Sequence, residues 1–289
     1  MSMPLRYRCL RRFGCLGWIP RGIRYRVARF LADPDRMPDI PFECNFGGLR
    51  YGGSLASYID WNVWFLGIYE PEVLAFLVDA ASQAGAVAVD VGANVGQHSL
   101  YLAPRVAQVV AFEPWPQARA AFMANLERNG LDNVDIRPVA LGDIAADLQF
   151  FAPSTANLGT GSFVADVNRN LPSGTLPVVR GDDALADLTR IDVIKIDTEG
   201  FEVKVLRGLA GTLRRHRPAV LFEMSDAVAL SVGGYDGLEN RLLGLFGDGW
   251  RLFLLKPAGN SYRLSSFAFE GGHAIAVAMP LVEAGVPPR

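Results

Sequence analysis

The strongest constraint on this chain is a loop. Val87-Ala88-Val89-Asp90-Val91 is a short apolar run, and Gly92-Ala93-Asn94-Val95-Gly96 follows it directly. An apolar strand without alternation needs cover on both faces, as in a parallel sheet lined by helices. Glycines after such a strand let the backbone turn sharply and come close to a ligand. The helix start beyond offers free N–H groups to an anion. The same rhythm continues down the chain. Apolar strands are expected at 87–91, 109–112, 134–141, 191–196, 219–222, 250–255 and 273–279, with helices at 99–103, 118–129 and 203–213. Alternating strands and helices predict a doubly wound α/β fold with a mostly parallel seven-stranded sheet. Residues 147–181 break the rhythm and read as a small β insertion around a Gly/Ser/Asn-rich loop.

Residues 69–289 are expected to form this domain, and residues 1–68 an N-terminal extension. The extension begins with a basic arm: Arg6, Arg8, Arg11, Arg12, Arg21, Arg24, Arg26 and Arg29 precede the first acid, Asp33. Ile23, Val27, Phe30 and Leu31 recur at helical spacing within it. The plain reading is an arm packed on its own domain or on a neighbouring subunit. The sharper one is peripheral contact with anionic lipid or an acidic partner. A Pro/Asp-rich linker at 33–41 and a hairpin at 42–51 follow, and the arm and hairpin are the expected contacts of a homo-oligomer. Cys9, Cys15 and Cys44 match no zinc or redox spacing and read as reduced thiols, which with no secretory pattern predicts a cytoplasmic protein. A net charge of -2 gives no global attraction for nucleic acid.

The details of the turn choose between cofactors. A nicotinamide site reads G-x-G-x-x-G, with a later acid for the ribose. Here Asn94 takes the middle glycine's place, the third glycine is shifted to Gly96, and Asp90 precedes the first. An acid there is unfavourable beside a pyrophosphate and favourable beside a sulfonium or an amino group. The pattern therefore points to S-adenosylmethionine, held by Asp90, Gly92, Ala93, Asn94 and Gly96. Glu113 ends the second strand, where a carboxylate can accept from both ribose hydroxyls. Pro114 and Trp115 would flank the adenine, or else be a turn proline and a core indole. Ala140 and Leu141 would present backbone groups to the adenine edge. Asn125 and Asp143 read as helix-surface and turn residues.

Taken together the motifs resemble the FkbM family of methyltransferases. The likeness rests on Val89-Asp90-Val91-Gly92-Ala93-Asn94-Val95-Gly96, Phe112-Glu113-Pro114, Ala140-Leu141-Gly142-Asp143 and Asn157-Leu158-Gly159-Thr160-Gly161-Ser162. Its most distinctive part is Ile191-Asp192-Val193-Ile194-Lys195-Ile196-Asp197-Thr198-Glu199-Gly200-Phe201-Glu202, then Arg217-Pro218 and Phe222-Glu223. The resemblance implies methyl transfer from S-adenosylmethionine to oxygen, on a sugar, glycan, glycolipid or polyketide-type hydroxyl.

Such a hydroxyl is a poor nucleophile and benefits from a general base. Asp197, at the end of the fourth strand, is the first candidate, with Glu199 and His98 as alternatives. Crowding of Asp197, Glu199 and Glu202 would raise one of their pKa values, unless Lys195 pairs with one and Glu202 merely opens the next helix. Asn157, Ser162 and Glu223 are expected to face the acceptor. His216 and His273 read as structural or solvent-exposed. No metal is expected, although Asp197 and Glu199 are the carboxylates a Mg²⁺-assisted variant would use. Two other readings stand beside this one. A nucleic-acid methyltransferase would carry an Asp/Asn-Pro-Pro-aromatic motif where this chain has Asp197-Thr198-Glu199-Gly200, and a basic channel. The other is an inactive cofactor-binding module, a binding protein that has lost activity, and intact Asp90, Gly92, Gly96 and Glu113 argue against it.

Overall fold

A computed structural model describes residues 3–153, 161–165 and 170–281. Two helices, α1 (Leu5–Gly14) and α2 (Arg21–Leu31), lead to a hairpin of β1 (Pro41–Phe46) and β2 (Leu49–Ser54). Helices α3 (Tyr58–Leu66) and α4 (Pro71–Ala80) follow. The alternating region comprises β3 (Val87–Val91), α5 (Gln97–Leu102), β4 (Gln108–Phe112), α6 (Pro116–Asn129) and β5 (Val134–Arg137). A small sheet uses β6 (Ala140–Gly142), β7 (Ala146–Pro153) and β8 (Asn170–Arg180). The chain then runs through α7 (Gly181–Ala184), β9 (Val193–Ile196), α8 (Glu202–Gly208), α9 (Ala210–His216), β10 (Ala219–Ser225), α10 (Asp226–Ser231) and α11 (Leu238–Phe246). It ends in β11 (Trp250–Ala258), β12 (Ser261–Ser266) and β13 (His273–Pro280).

The main sheet has the order β12-β11-β13-β10-β9-β3-β4-β5. Strands β5, β4, β3, β9 and β10 are parallel, and β13, β11 and β12 continue antiparallel. The α/β architecture is the expected one. The sheet carries the expected strands plus β12, an edge strand formed when β11 turns back on itself. Chain direction across the sheet reverses between β3 and β9, the point where ligands dock in open α/β sheets. The expected strand at 134–141 divides. Pro138 has no N–H to give a ladder, so Arg137 ends β5 in the main sheet and Ala140 begins β6 in the small one. The expected helix at 203–213 is likewise broken, at Leu209, into α8 and α9.

The N-terminal helices and hairpin share a core with the sheet domain. Trp61 and Phe65 of α3 are fully buried and cluster with Tyr7, Leu10, Phe46, Phe122 and Ala93 of the glycine turn. Helix α3 is apolar nearly all round, as a helix buried on every side must be. Its one acid, Asp60, accepts from the Tyr51 hydroxyl at 2.6 Å and the Ser54 N–H at 2.9 Å. The hairpin is tied to α6 by Asn125, whose amide bonds both the N–H and the carbonyl of Gly52. Asn125 is therefore a buried clamp and not a helix-surface residue. Residues 3–66 thus brace the back of the turn at 92–96.

Candidate functional site

A pocket opens at the carboxyl ends of β3, β4, β9 and β10. Its first wall is backbone. Gly92 (φ 76°) passes so close to β9 that a Cβ there would lie 1.9 Å from the Asp197 carbonyl oxygen. Gly96 (φ 78°) leaves the same 1.9 Å to the Phe122 ring. Asn94 also has a left-handed backbone (φ 52°), and its Oδ1 accepts from the next N–H at 2.8 Å. Asparagine tolerates that conformation better than other side chains.

Glu113 is buried beneath this turn. Its Oε2 accepts from the Asn94 N–H at 2.7 Å and its Oε1 from the Trp115 N–H at 2.8 Å. Burial pushes its carboxyl up to about 7, against the pull of those two N–H groups. Each oxygen retains lone-pair capacity toward the pocket. Pro114, Trp115, Ala140 and Leu141 line the same side. Trp115 packs on Phe150 of the small sheet with ring centroids 6.1 Å apart, so the indole is at once core and pocket wall.

Asp90 is placed differently from the sequence expectation. Its carboxylate is buried and does not line the pocket. It accepts from Ser99 Oγ at 2.7 Å and from Lys195 Nζ at 3.1 Å. Burial opposes its charge, yet Lys195, His98 and Ser99 together hold the carboxyl below its ordinary value. Burial likewise opposes the charge of Lys195, but Asp90, then Asp197 and Glu70, hold its ammonium above the usual range. Lys195 also lies 3.4 Å from the Gly92 carbonyl and 3.5 Å from Asp197. It is the tie between the turn and the opposite wall.

That opposite wall is acidic. Oxygens of Asp197, Glu199 and Glu223 all lie within 4.8 Å of one another. Glu199 and Gly200 both have positive φ, and Glu202 holds their loop in shape. Its carboxylate accepts from the Thr198 N–H (2.7 Å), the Thr198 hydroxyl (2.9 Å) and the Gly200 N–H (3.0 Å). Glu202 is also the first residue of α8, so it is structural, as one reading of the sequence had it. The acid most affected by crowding lies one strand away. Burial, then the charges of Asp197, Glu199, Glu202 and Glu70, push Glu223 up to about 9. It sits 3.1 Å from His273 Nδ1, so His273 is a partner of the site's edge.

His98 lines the pocket, buried, with Nε2 3.2 Å from Glu70 Oε2. Burial works against charge on Glu70, but His98 and Lys195 hold its carboxyl below the usual range. Glu70 and Tyr69 also line the pocket and were not singled out in the sequence. The available signal was Glu70-Pro71 as a helix opening, which says nothing about where the carboxylate points. Ser162 lines the pocket. The hydroxyl donates to the Glu199 carbonyl at 2.8 Å, so it braces the acidic loop. Asn157 lies outside the described residues. Asp197, Glu199 and Glu223 are also the described residues placed to share a cation. Lys195, 3.5 Å from Asp197, already supplies positive charge to this cluster. No helix among the described residues is long and apolar enough to cross a membrane.

Residues 90–231 match the model of the methyltransferase FkbM domain. The chain is 31% identical over 142 residues to Methyltransferase 1 of Beauveria bassiana, covering 42% of this chain and 57% of that protein. It is 28% identical over 147 residues to the hexuronic acid methyltransferase AglP of Haloferax volcanii, covering 50% of this chain and 58% of that protein. The chain thus spans little more than half the length of these relatives. Among solved structures it resembles an rRNA methylase from Streptococcus thermophilus (TM-score 0.44, 13% identity, 73% of this chain and 95% of that one). It also resembles precorrin-6y C5,15-methyltransferase from Geobacter metallireducens (TM-score 0.40, 14% identity, 72% and 88%). The turn at 90–96, Glu113 and the Asp197–Glu202 loop all fall inside the matched segment, so the part of this chain that resembles the methyltransferase FkbM domain is the part that builds the pocket.

Proposed function

We propose that this chain methylates a hydroxyl oxygen of a sugar, glycan, glycolipid or polyketide-type acceptor, with S-adenosylmethionine as donor. The observation that carries the reading is the convergence of Asp197, Glu199 and Glu223 across the pocket from the glycine turn. A hydroxyl-rich acceptor needs hydrogen-bond acceptors around it and a group to take its proton. The hexuronic acid methyltransferase among the relatives adds weight to a sugar-type acceptor.

S-adenosylmethionine, when bound, supplies an electrophilic methyl group on a sulfonium. The chain's own residues do the rest by placement and by excluding water. Gly92 and Ala93 let the backbone approach the cofactor, Glu113 accepts the ribose hydroxyls, and Trp115, Ala140 and Leu141 enclose the base. Asp197 takes the proton of the acceptor hydroxyl. Glu199 accepts a second hydroxyl. Glu223, protonated at neutral pH, donates a hydrogen bond. His98, backed by Glu70, is the second candidate for the proton.

The test has two steps. Calorimetric titration with S-adenosylhomocysteine is expected to show one tight site. Transfer of labelled methyl is then screened against free sugars, uronic acids and glycolipids, with RNA as a control. Label on RNA and on no hydroxyl acceptor would overturn the proposal.

A further inference from the structure

The methyl-transfer site makes no use of the basic arm, and the arm carries a surface of its own. Helices α1 and α2 both lie on α3, α1 through Tyr7 on Phe65 and α2 through Tyr25 on Trp61. Each buries the side facing α3: Tyr7, Leu10 and Gly14 in α1, Arg24 and Ala28 in α2. The faces turned away from α3 are therefore the exposed ones. In α1 that face carries Leu5, Arg8 and Arg12; in α2 it carries Ile23, Arg26 and Phe30 at helical spacing. Trp18, in the turn joining the two helices, is 80% exposed, Phe30 88% and Leu5 72%. These are the side chains a folded protein normally hides.

Charge chooses the occupant. The arm has no acid before Asp33, and among the described residues Arg8, Arg12 and Arg26 pair with no carboxylate. Other arginines of the arm are spent on structure: Arg24 bonds the Gly14 and Ile19 carbonyls, and Arg11 caps the end of α3 at Trp64. Unpaired arginines interleaved with exposed aromatic and aliphatic side chains match one environment well. That environment is an anionic membrane interface, where guanidinium groups meet phosphate and apolar tips enter the acyl boundary. We propose that α1, α2 and the turn at Trp18 dock this chain on an anionic lipid surface. The surface is peripheral: the helices are too short to span, and they lie in the plane of the interface.

Trp18 makes the test specific. The other tryptophans, Trp61, Trp64, Trp115 and Trp250, are at most 9% exposed, so a fluorescence blue shift on adding vesicles reports Trp18 alone. The full chain is mixed with vesicles of phosphatidylcholine, with or without phosphatidylglycerol, and sedimented. Binding and a blue shift are expected with phosphatidylglycerol and not without it. Each arginine at the surface contributes roughly fivefold, so Arg8→Glu, Arg12→Glu and Arg26→Glu together are expected to weaken binding by about a hundredfold or more. The pair Trp18→Ser and Phe30→Ser is expected to abolish sedimentation and leave the melting temperature and S-adenosylhomocysteine affinity unchanged. Equal binding to neutral vesicles, no binding to either, or variants that bind like the parent would overturn the proposal. So would a dimer that the Trp18→Ser, Phe30→Ser pair splits into monomers, because a second copy would then be what covers this face. Failure of the methyl-transfer reading would leave these outcomes unaffected.

Discussion

The two walls of the pocket are held by different means. On the glycine side, shape does the holding: Gly92, Asn94 and Gly96 take left-handed backbones, and Glu113 is pinned by two N–H groups. On the acidic side, charge does it: Asp197, Glu199 and Glu223 crowd one another, and Lys195 reaches across to Asp90. A wall made of backbone cannot admit another atom. A wall made of carboxylates can accept new atoms and still lose its chemistry. The two should therefore fail in different ways when altered.

The largest effect is expected on the backbone side. Gly92→Ala would put a Cβ 1.9 Å from a main-chain carbonyl oxygen, which has no flexible end to move aside. Left-handed strain and overpacking together should cost about 3 kcal/mol or more. The expected result is a collapse of the melting transition and no S-adenosylhomocysteine binding. A folded variant that binds normally would show that the turn has slack. Asp197→Asn should do the opposite, folding and binding S-adenosylhomocysteine like the parent while turnover falls by about 10²- to 10⁴-fold. Full activity would remove Asp197 as the proton acceptor and move attention to His98.

The same contrast explains what was legible in the sequence. Glycine positions report backbone geometry directly, so the turn and the strand before it could be placed from spacing alone. Glu113 followed because it ends the next strand. Lys195 could be read only as a partner for one of the nearby acids, because its reach to Asp90 joins residues 105 positions apart. Asp90 looked like a cofactor ligand in part for the same reason: Lys195 was out of view, and no local pattern showed that Ser99, nine positions on, turns back to it. Glu223 and Glu70 owe their surroundings to several strands and loops at once, and no local pattern encodes that. The arrest of β5 at Pro138 was readable in principle, but a proline following four strand residues competes with the apolar run that resumes at Val139.

Glu113 links the two walls, since it is a carboxylate held by backbone. Glu113→Gln leaves one N–H facing an amide nitrogen and should raise the S-adenosylhomocysteine Kd by about 10- to 100-fold. Its pH dependence sharpens the assignment. Below about 7 the folded Glu113 carries a proton. Ribose hydroxyls prefer the carboxylate, so binding there releases a proton. Affinity in the parent should weaken by up to about tenfold per pH unit below 7 and level off above it. In Glu113→Gln the profile should be flat through that range. A parent profile that is equally flat would mean the ribose is held elsewhere.

The smallest expected effect separates charge from packing on the acidic side. Glu223 ionises near 4.5 in the unfolded chain but at about 9 when folded, because burial and the surrounding acids oppose its charge. Between those values the folded state keeps a proton that the unfolded state has released. Stability from this site is therefore intact below about 4.5 and declines as pH rises toward 9. Glutamine has the same shape and cannot ionise, so Glu223→Gln should be spared that decline. Near pH 8 its melting temperature should exceed the parent's by about 2–5 °C, and near pH 5 the two should coincide. His273, 3.1 Å away, keeps a hydrogen-bond partner in either case. A gap of equal size at both pH values would assign the effect to packing, and the acidic wall would then be held, like the glycine wall, by shape.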